Sequence, residues 1–293
     1  MKQGYFLTAW RDIRQSKGWL RNLLLLSLIN LIPVFGQIVV LGYLYGWARD
    51  IAWGIRTPMP AHIQARKGDH MLLRGLHLFV LEVIFMAVPV LFAYLTAKLM
   101  TTFSVNWLYL IKPYFSIDID FYIATAAYSL CYVLAVIIVP CILVGWMRIS
   151  IYGRLSAGFQ IARIWRMIRY RMSGLLRIAG ILLLLVAAIV LFALVLALAV
   201  GLLGLAYSFG VSIFGGQVDW AGLGASLMPM AIAFIPLVAY ALSVLTVFAH
   251  MVISRAMGYW TAQFDVPHWQ GQDDPMPFEK HGVEKPVAPH ETS

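Results

Sequence analysis

The chain is poor in charged residues, and this scarcity excludes most soluble folds. Of its 293 residues, 12% are charged, only 13 are acidic and 61% are hydrophobic. Soluble domains carry about 25% charged residues, so lipid is the expected solvent. In lipid every backbone amide must be satisfied within the protein, which leaves helices or a closed barrel. The apolar stretches are long and continuous, unlike the alternating strands of about ten residues in membrane barrels. We therefore expect an all-α, polytopic helical membrane protein.

Cysteines and catalytic motifs are scarce as well. Cys131 and Cys141 fall in one apolar stretch, about 15 Å apart along a helix, which is too far for a disulfide bond. The sequence contains no phosphate-binding glycine loop, His-Glu-x-x-His, Gly-x-Ser-x-Gly or Cys-x-x-Cys motif. The histidines of the loops and the C-terminal segment lack the spacing of metal ligands. We therefore expect no enzyme activity, no cofactor and no metal.

Residues 22–46 form an uncharged stretch that is broken near its middle by Pro33 and Gly36. A proline inside a helix removes a backbone donor and clashes with the preceding turn, and glycine lets the chain reverse. The pattern predicts two half-helices, Leu23–Ile32 and Gln37–Gly46, that meet at a turn between them.

The distribution of basic residues predicts the topology. Four further apolar spans lie at residues 75–97, 121–147, 178–207 and 228–253. Lysine and arginine number five in residues 1–21, five in 47–74 and seven in 148–177, but two in 98–120 and none in 208–227. Cytoplasmic loops carry the excess of basic residues. The stretch 22–46 should therefore cross an even number of times, as a re-entrant hairpin, with both termini cytoplasmic in the cell membrane. The alternative is one kinked span with the N-terminal helix outside.

Two amphipathic segments, residues 5–21 and 159–177, combine tryptophan with arginine, as interfacial helices do. The net charge of +9 favours anionic lipid as a partner over nucleic acid. The predicted lipid contacts are Arg11, Arg14, Arg163, Arg166 and Arg169.

The two amphipathic segments also resemble each other. Trp10-Arg11-x-Ile13-Arg14 matches Trp165-Arg166-x-Ile168-Arg169. A single membrane domain over 1–258 could thus consist of two repeated halves, about 5–150 and 159–258. The alternative is that any interfacial helix favours these residues. The polar, proline-rich segment 259–293 has too few apolar residues to pack, and we expect it to be a disordered cytoplasmic tail.

Glu82 lies inside the first full span. An intramembrane carboxylate is costly and is a candidate functional group. The alternative is a structural bond to Arg74, His77 or His250. Asn30 and Gln37 flank the break, where they either satisfy carbonyls freed at the turn or line a polar path. The candidate polar site comprises Glu82, His77, Asn30, Gln37 and His250.

Several of these motifs resemble a known family. They are Ile32-Pro33-x-x-Gly36, Gly42-Tyr43, Arg49-Asp50, Pro58-x-Pro60 and an apolar span that begins at Gly75. In this order they resemble the prokaryotic membrane proteins grouped as domain of unknown function 4013, over about residues 5–262. The resemblance implies a bacterial or archaeal cell-membrane protein of several helices and brings no activity, substrate or catalytic residue.

Two functions fit these observations. The first is a non-enzymatic membrane component that acts through lipid or protein partners. The second is a small-solute transporter or channel that uses the broken helix and Glu82. The small residues Ala193, Ala197 and Gly201 recur every fourth position and predict close helix packing, either within the bundle or in a homo-oligomer.

Overall fold

A computed structural model describes residues 4–60, 70–103, 119–213 and 220–280. These residues form α-helices and short 3₁₀ turns, and they contain no β-strand. The helices are α1 (Tyr5–Gln15), α2 (Trp19–Asn30), α3 (Phe35–Ala52), α4 (Met71–Phe103), α5 (Ile119–Tyr152), α6 (Ile161–Tyr170), α7 (Met172–Ile213), α8 (Trp220–Thr261) and α9 (Pro277–Lys280).

Four of the helices are long and apolar enough to cross a membrane. The spanning segments are Met71–Lys98 in α4, Tyr128–Tyr152 in α5, Met172–Ala199 in α7 and Phe234–Phe264, which begins in α8 and continues just beyond it. The protein is thus a multi-pass, all-α membrane protein, and the predicted fold class is confirmed.

The broken stretch forms an antiparallel helical hairpin. Helix α2 ends at Asn30, α3 begins at Phe35, and Val34 between them adopts a φ of 63°. Asn22 lies opposite Tyr43, with 3.2 Å between the amide nitrogen and the phenol oxygen, and Gly36 packs on the backbone of Ile29. The half-helices extend beyond the predicted bounds at their outer ends, to Trp19 and Ala52, because the apolar pattern ends before the helical hydrogen bonding does. At the break α2 ends two residues before the predicted Ile32, and α3 begins two residues before the predicted Gln37.

The two ends of the hairpin are fastened to the same loop. The Met59 amide donates to the Ser16 hydroxyl at 2.9 Å, before α2, and the Tyr43 hydroxyl donates to the Pro60 carbonyl at 2.6 Å, from α3. Asn22 also donates to the Pro60 carbonyl, at 2.8 Å. The chain therefore enters and leaves the hairpin at the same end of the helix bundle, so α2 and α3 together do not carry the chain to the opposite end of the bundle.

Helix α3 is the most enclosed element among the described residues. Its positions from Val39 to Ala48 are all buried, between α2, α4 and α8. Glycines allow this close approach: Gly42 and Gly75 face each other across α3 and α4, and Gly258 of α8 lies against the carbonyl of Ala48. The core is therefore built around the second half of the hairpin.

Each amphipathic segment is divided in two by its backbone. In the first segment, helix α1 ends at Gln15. Gly18, with a φ of 77°, is the N-cap of the next helix, α2, which begins at Trp19. The second ends at Tyr170, and α7 begins at Met172. The predicted continuous helices over 5–21 and 159–177 are therefore wrong at their C-terminal ends. The two amphipathic helices are followed by different structures, because α1 leads into a broken hairpin and α6 into one continuous helix. The division of the domain into two repeated halves stays a prediction.

The C-terminal segment is ordered further than its composition predicts. Helix α8 continues to Thr261, and Phe264, Val266, Trp269 and Met276 are buried in the core. The expectation of disorder from residue 259 is wrong as far as residue 280, because a few well-spaced apolar side chains are enough to fasten a polar segment. Residues 281–293 lie outside the described part of the chain.

Candidate functional site

The hairpin brings Gln37 to Glu82. Gln37 lies in the first turn of α3, just after the break, and Glu82 lies in α4. The Gln37 amide donates to one carboxylate oxygen of Glu82 at 2.8 Å. Glu82 therefore has an amide partner from the hairpin, whereas Arg74 donates to the Gly42 carbonyl at 2.7 Å.

Glu82 lines a cavity within the membrane-spanning region. The cavity has a volume of about 170 Å³ and lies between α4, α5, α7 and α8. Its lining residues are Glu82, Met86, Val139, Ile142, Leu143, Trp146, Leu182, Val186, Ile189, Thr246, Ala249, His250 and Ile253. Glu82 and His250 are the ionisable residues of this lining, and neither lysine nor arginine contributes to it. Two of the five predicted site residues thus share one cavity.

The remaining polar groups of the lining are occupied within the protein. The Trp146 indole donates to the Leu78 carbonyl at 2.9 Å, and the Thr246 hydroxyl donates to the Leu242 carbonyl at 2.9 Å. No described residue forms a hydrogen bond with the His250 imidazole, which packs 6.3 Å from the Trp146 ring. Glu82 and His250 are therefore the groups available to an occupant.

Tyr45 adds a polar group that sequence reasoning missed. Its ring packs edge-on against Trp146 at 5.0 Å, and its hydroxyl is buried with no hydrogen-bond partner among the described residues. The tryptophans that follow glycine, at Gly46-Trp47 and Gly145-Trp146, mark this region in the sequence, but they do not identify Tyr45.

The other two predicted residues lie elsewhere. Asn30 donates to the Ser243 hydroxyl at 3.1 Å, and Ser243 in turn donates to the Ser27 carbonyl at 2.8 Å. These bonds fasten the tip of the hairpin to α8. The Nδ1 atom of His77 is buried without a partner among the described residues, and His77 does not line the cavity.

The interfacial arginines differ in what they contact. Arg11, Arg14 and Arg169 are exposed. Arg163 donates to the backbone carbonyls of Asp273 and Asp274, and Arg166 forms an ion pair with Glu279 at 3.2 Å. The C-terminal segment therefore occupies part of the basic face of α6.

Two arginines that the sequence did not single out are buried and fully engaged. Arg255, 2% exposed, binds the carboxylate of Asp12 at 2.8 Å and lies 4.0 Å from the Trp47 ring. Arg148, at 0% exposure, donates to the Ala157 carbonyl at 3.0 Å and to the Gln160 side chain at 2.5 Å. Their position at the ends of apolar spans predicts interfacial arginines. The burial of Arg255 depends on Asp12, 243 residues away, and Arg148 also donates to the Gln272 carbonyl at 3.5 Å, 124 residues away.

Within the described residues, no group of three His, Cys, Asp or Glu side chains could hold a metal ion. The arrangement is thus a cavity lined mainly by hydrocarbon, with one carboxyl and one imidazole group.

Comparison with known proteins gives a family and no activity. No curated protein and no solved structure matches the chain. A family described as "Protein of unknown function (DUF4013)" matches residues 25–203, more than half of the chain, from the hairpin through the spanning part of α7. The chain therefore belongs to the DUF4013 family.

Proposed function

We propose that the protein is a non-enzymatic component of the cell membrane that acts through anionic lipids at its cytoplasmic face. The observation that carries this proposal is the orientation of α1. Tyr5, Ala9 and Ile13 are buried against the bundle, and Asp12 is fixed by Arg255 and by the Tyr259 hydroxyl at 2.5 Å.

The same orientation leaves a basic and aromatic face uncovered. Phe6 and Leu7 are exposed beside Arg11 and Arg14, and Trp10 packs edge-on against Trp19 at 5.6 Å. Apolar side chains that enter the acyl boundary next to arginines at head-group level are what an interfacial helix needs. Each basic residue near an anionic surface contributes about 1 kcal/mol.

The lipid proposal is tested by replacing Arg11 and Arg14 together with glutamine. Phosphatidylglycerol should be enriched around the wild-type protein in nanodiscs of mixed phosphatidylglycerol and phosphatidylcholine, and the double variant should lose most of this enrichment. Native mass spectrometry of bound lipids measures it. Lys98→Gln, at the opposite end of the α4 span, is the control and should leave the enrichment unchanged. Equal loss in the control, or no loss in the double variant, would contradict the proposal.

The same proposal includes the orientation of the whole protein in the membrane. Because 22–46 enters and leaves at one end of the bundle and four spans follow, we place both termini in the cytoplasm, together with the arginine-rich segment 148–177. This agrees with the excess of basic residues in cytoplasmic loops.

A cysteine at Phe35 tests this orientation. The residue is 51% exposed at the tip of the hairpin, and Cys131 and Cys141 would first be replaced by alanine. A membrane-impermeant maleimide added outside should label Lys98→Cys but neither Phe35→Cys nor Arg154→Cys. Labelling of Phe35→Cys from outside would show that the hairpin crosses, and labelling of Arg154→Cys would reverse the orientation.

We further propose that α7 contacts a protein partner or a second copy of the chain. Ala197 is exposed and a side chain at Gly201 would meet no atom within 4 Å, so no described helix covers the small residues there. Transport of a hydrated solute is the weaker alternative, because the cavity beside Glu82 is lined mainly by hydrocarbon.

A further inference from the structure

We propose that the cavity between α4, α5, α7 and α8 binds the hydroxyl end of a single-chain membrane lipid. This inference concerns residues other than the interfacial arginines and does not depend on anionic lipid binding. Its starting point is that an otherwise apolar cavity contains the Glu82 carboxyl group, which accepts a hydrogen bond from Gln37, and the His250 imidazole, which has no hydrogen-bond partner among the described residues.

The size and opening of the cavity suit a hydrocarbon chain. About 170 Å³ is close to the volume of an engineered apolar cavity, about 150 Å³, that stays dry and binds benzene. Val186, on the α7 side of the lining, is 45% exposed. The cavity therefore opens laterally toward lipid, and a longer chain can continue from it into the bilayer.

The polar groups decide which end group fits. In a bilayer an alkyl chain gains little by entering an apolar cavity, because the surrounding lipid is equally apolar. Selection must therefore come from Glu82 and His250. A carboxylate accepts hydrogen bonds, and a neutral imidazole has one donor and one acceptor nitrogen. A hydroxyl group both donates and accepts, so it can satisfy both residues.

Charge excludes the commoner alternatives. No lysine or arginine lines the cavity, so the head group of an anionic phospholipid or a fatty carboxylate would meet Glu82 without a counter-charge. A protonated alkyl amine could donate to Glu82 and to the acceptor nitrogen of His250, but it must enter the apolar cavity as an ion, and the desolvation penalty can exceed the Coulombic gain. The predicted order of binding is alcohol, then amine, then carboxylate and alkane.

The test uses the full chain in phosphatidylcholine nanodiscs. The probe is hexadecanol with a photoactivatable diazirine near its hydroxyl end, and the labelled peptides are mapped by mass spectrometry. Labelling should concentrate on the α5 and α7 residues of the lining. Unlabelled hexadecanol should compete, whereas hexadecane and hexadecanoate should not. Glu82→Leu should weaken the competition by hexadecanol about tenfold, as the loss of one hydrogen bond to a charged group predicts.

Two substitutions on α7 provide a matched pair. Val186→Trp should fill the mouth of the cavity and reduce labelling at least tenfold. Val190→Trp lies one turn further along the same helix, at a residue that is 60% exposed and does not line the cavity, and it should leave labelling unchanged. Because both positions face lipid, neither variant should impair folding.

Three results would overturn the inference. They are equal competition by hexadecane, unchanged labelling in Val186→Trp, or labelling spread evenly along the exposed face of α7. The Arg11 and Arg14 double variant should be labelled normally, so failure of the anionic-lipid proposal and failure of this inference give different results.

Discussion

Gly75→Ala should be among the most destabilising single-methyl additions to this protein. The new Cβ atom would overlap the carbonyl group of Ile38 and approach the backbone of Gly42. These are backbone atoms of buried helices, so neither can move aside as the end of a side chain could. Overpacking typically costs 1–3 kcal/mol, occasionally more, and we expect about 3 kcal/mol. Thermal unfolding in detergent, followed by tryptophan fluorescence, should show a midpoint roughly 6–12 °C lower.

Gly180→Ala is the matched control. Gly180 is also inside a membrane helix, but a Cβ atom there meets no atom within 4 Å. Alanine is a better helix former than glycine by about 1 kcal/mol, so this variant should be unchanged or slightly more stable. Similar midpoints for Gly75→Ala and Gly180→Ala would mean that α3 and α4 do not approach as described.

Arg255→Met should have the second large effect. Arg255 joins Asp12 of α1 to the carbonyls of Trp47 and Thr57, at 3.3 Å each, and its guanidinium lies over the Trp47 ring. Removing one partner of a buried ion pair typically costs 3–5 kcal/mol, because the other charge is left uncompensated. The same unfolding measurement should show this loss. Protease cleavage between α1 and α2 should accelerate as α1 detaches.

A double-mutant cycle separates the ion pair from general packing. Asp12→Asn alone should destabilise less than Arg255→Met, since an asparagine oxygen can still accept from Arg255 and Tyr259, whereas methionine removes every hydrogen bond of the guanidinium. The double variant should lose less stability than the two single variants lose in total, because it no longer contains an unpaired charge. Arg154→Met, at an exposed arginine, should change stability by less than about 0.5 kcal/mol. Strict additivity in the cycle would contradict the proposed coupling.

The sequence was sufficient for the elements of the fold but not for their contacts. Pro33 and Gly36 indicate the break, and long uncharged runs indicate the four spans, because both signals are local. The pairing of Gln37 with Glu82 is not local: it depends on the register of α3 against α4, which Gly42 and Gly75 set by close backbone contact. The common cavity of Glu82 and His250 depends further on how α7 and α8 pack.

The C-terminal segment illustrates a different limit. Its composition resembles that of a disordered chain, yet Trp269 stacks on Tyr152 at 5.7 Å and Gln160 donates to Asp273 at 2.7 Å. Whether a polar segment folds depends on the surface available to it, and that surface is formed here by the end of α5 and by α6. The amino-acid composition of the segment contains no information about such a surface elsewhere in the protein.

The fastening of α1 to α8 has a consequence for biosynthesis. Asp12 and Arg255 are 243 residues apart, and Gln263 donates to the Tyr5 hydroxyl across 258 residues at 2.7 Å. A ribosome that adds about 5–20 residues per second needs roughly 10–50 s to reach Arg255 after Asp12. During this interval the hairpin and the first amphipathic helix are in the membrane without their main partner. The N-terminal quarter of the chain thus reaches its final packing last, when the end of the final span arrives.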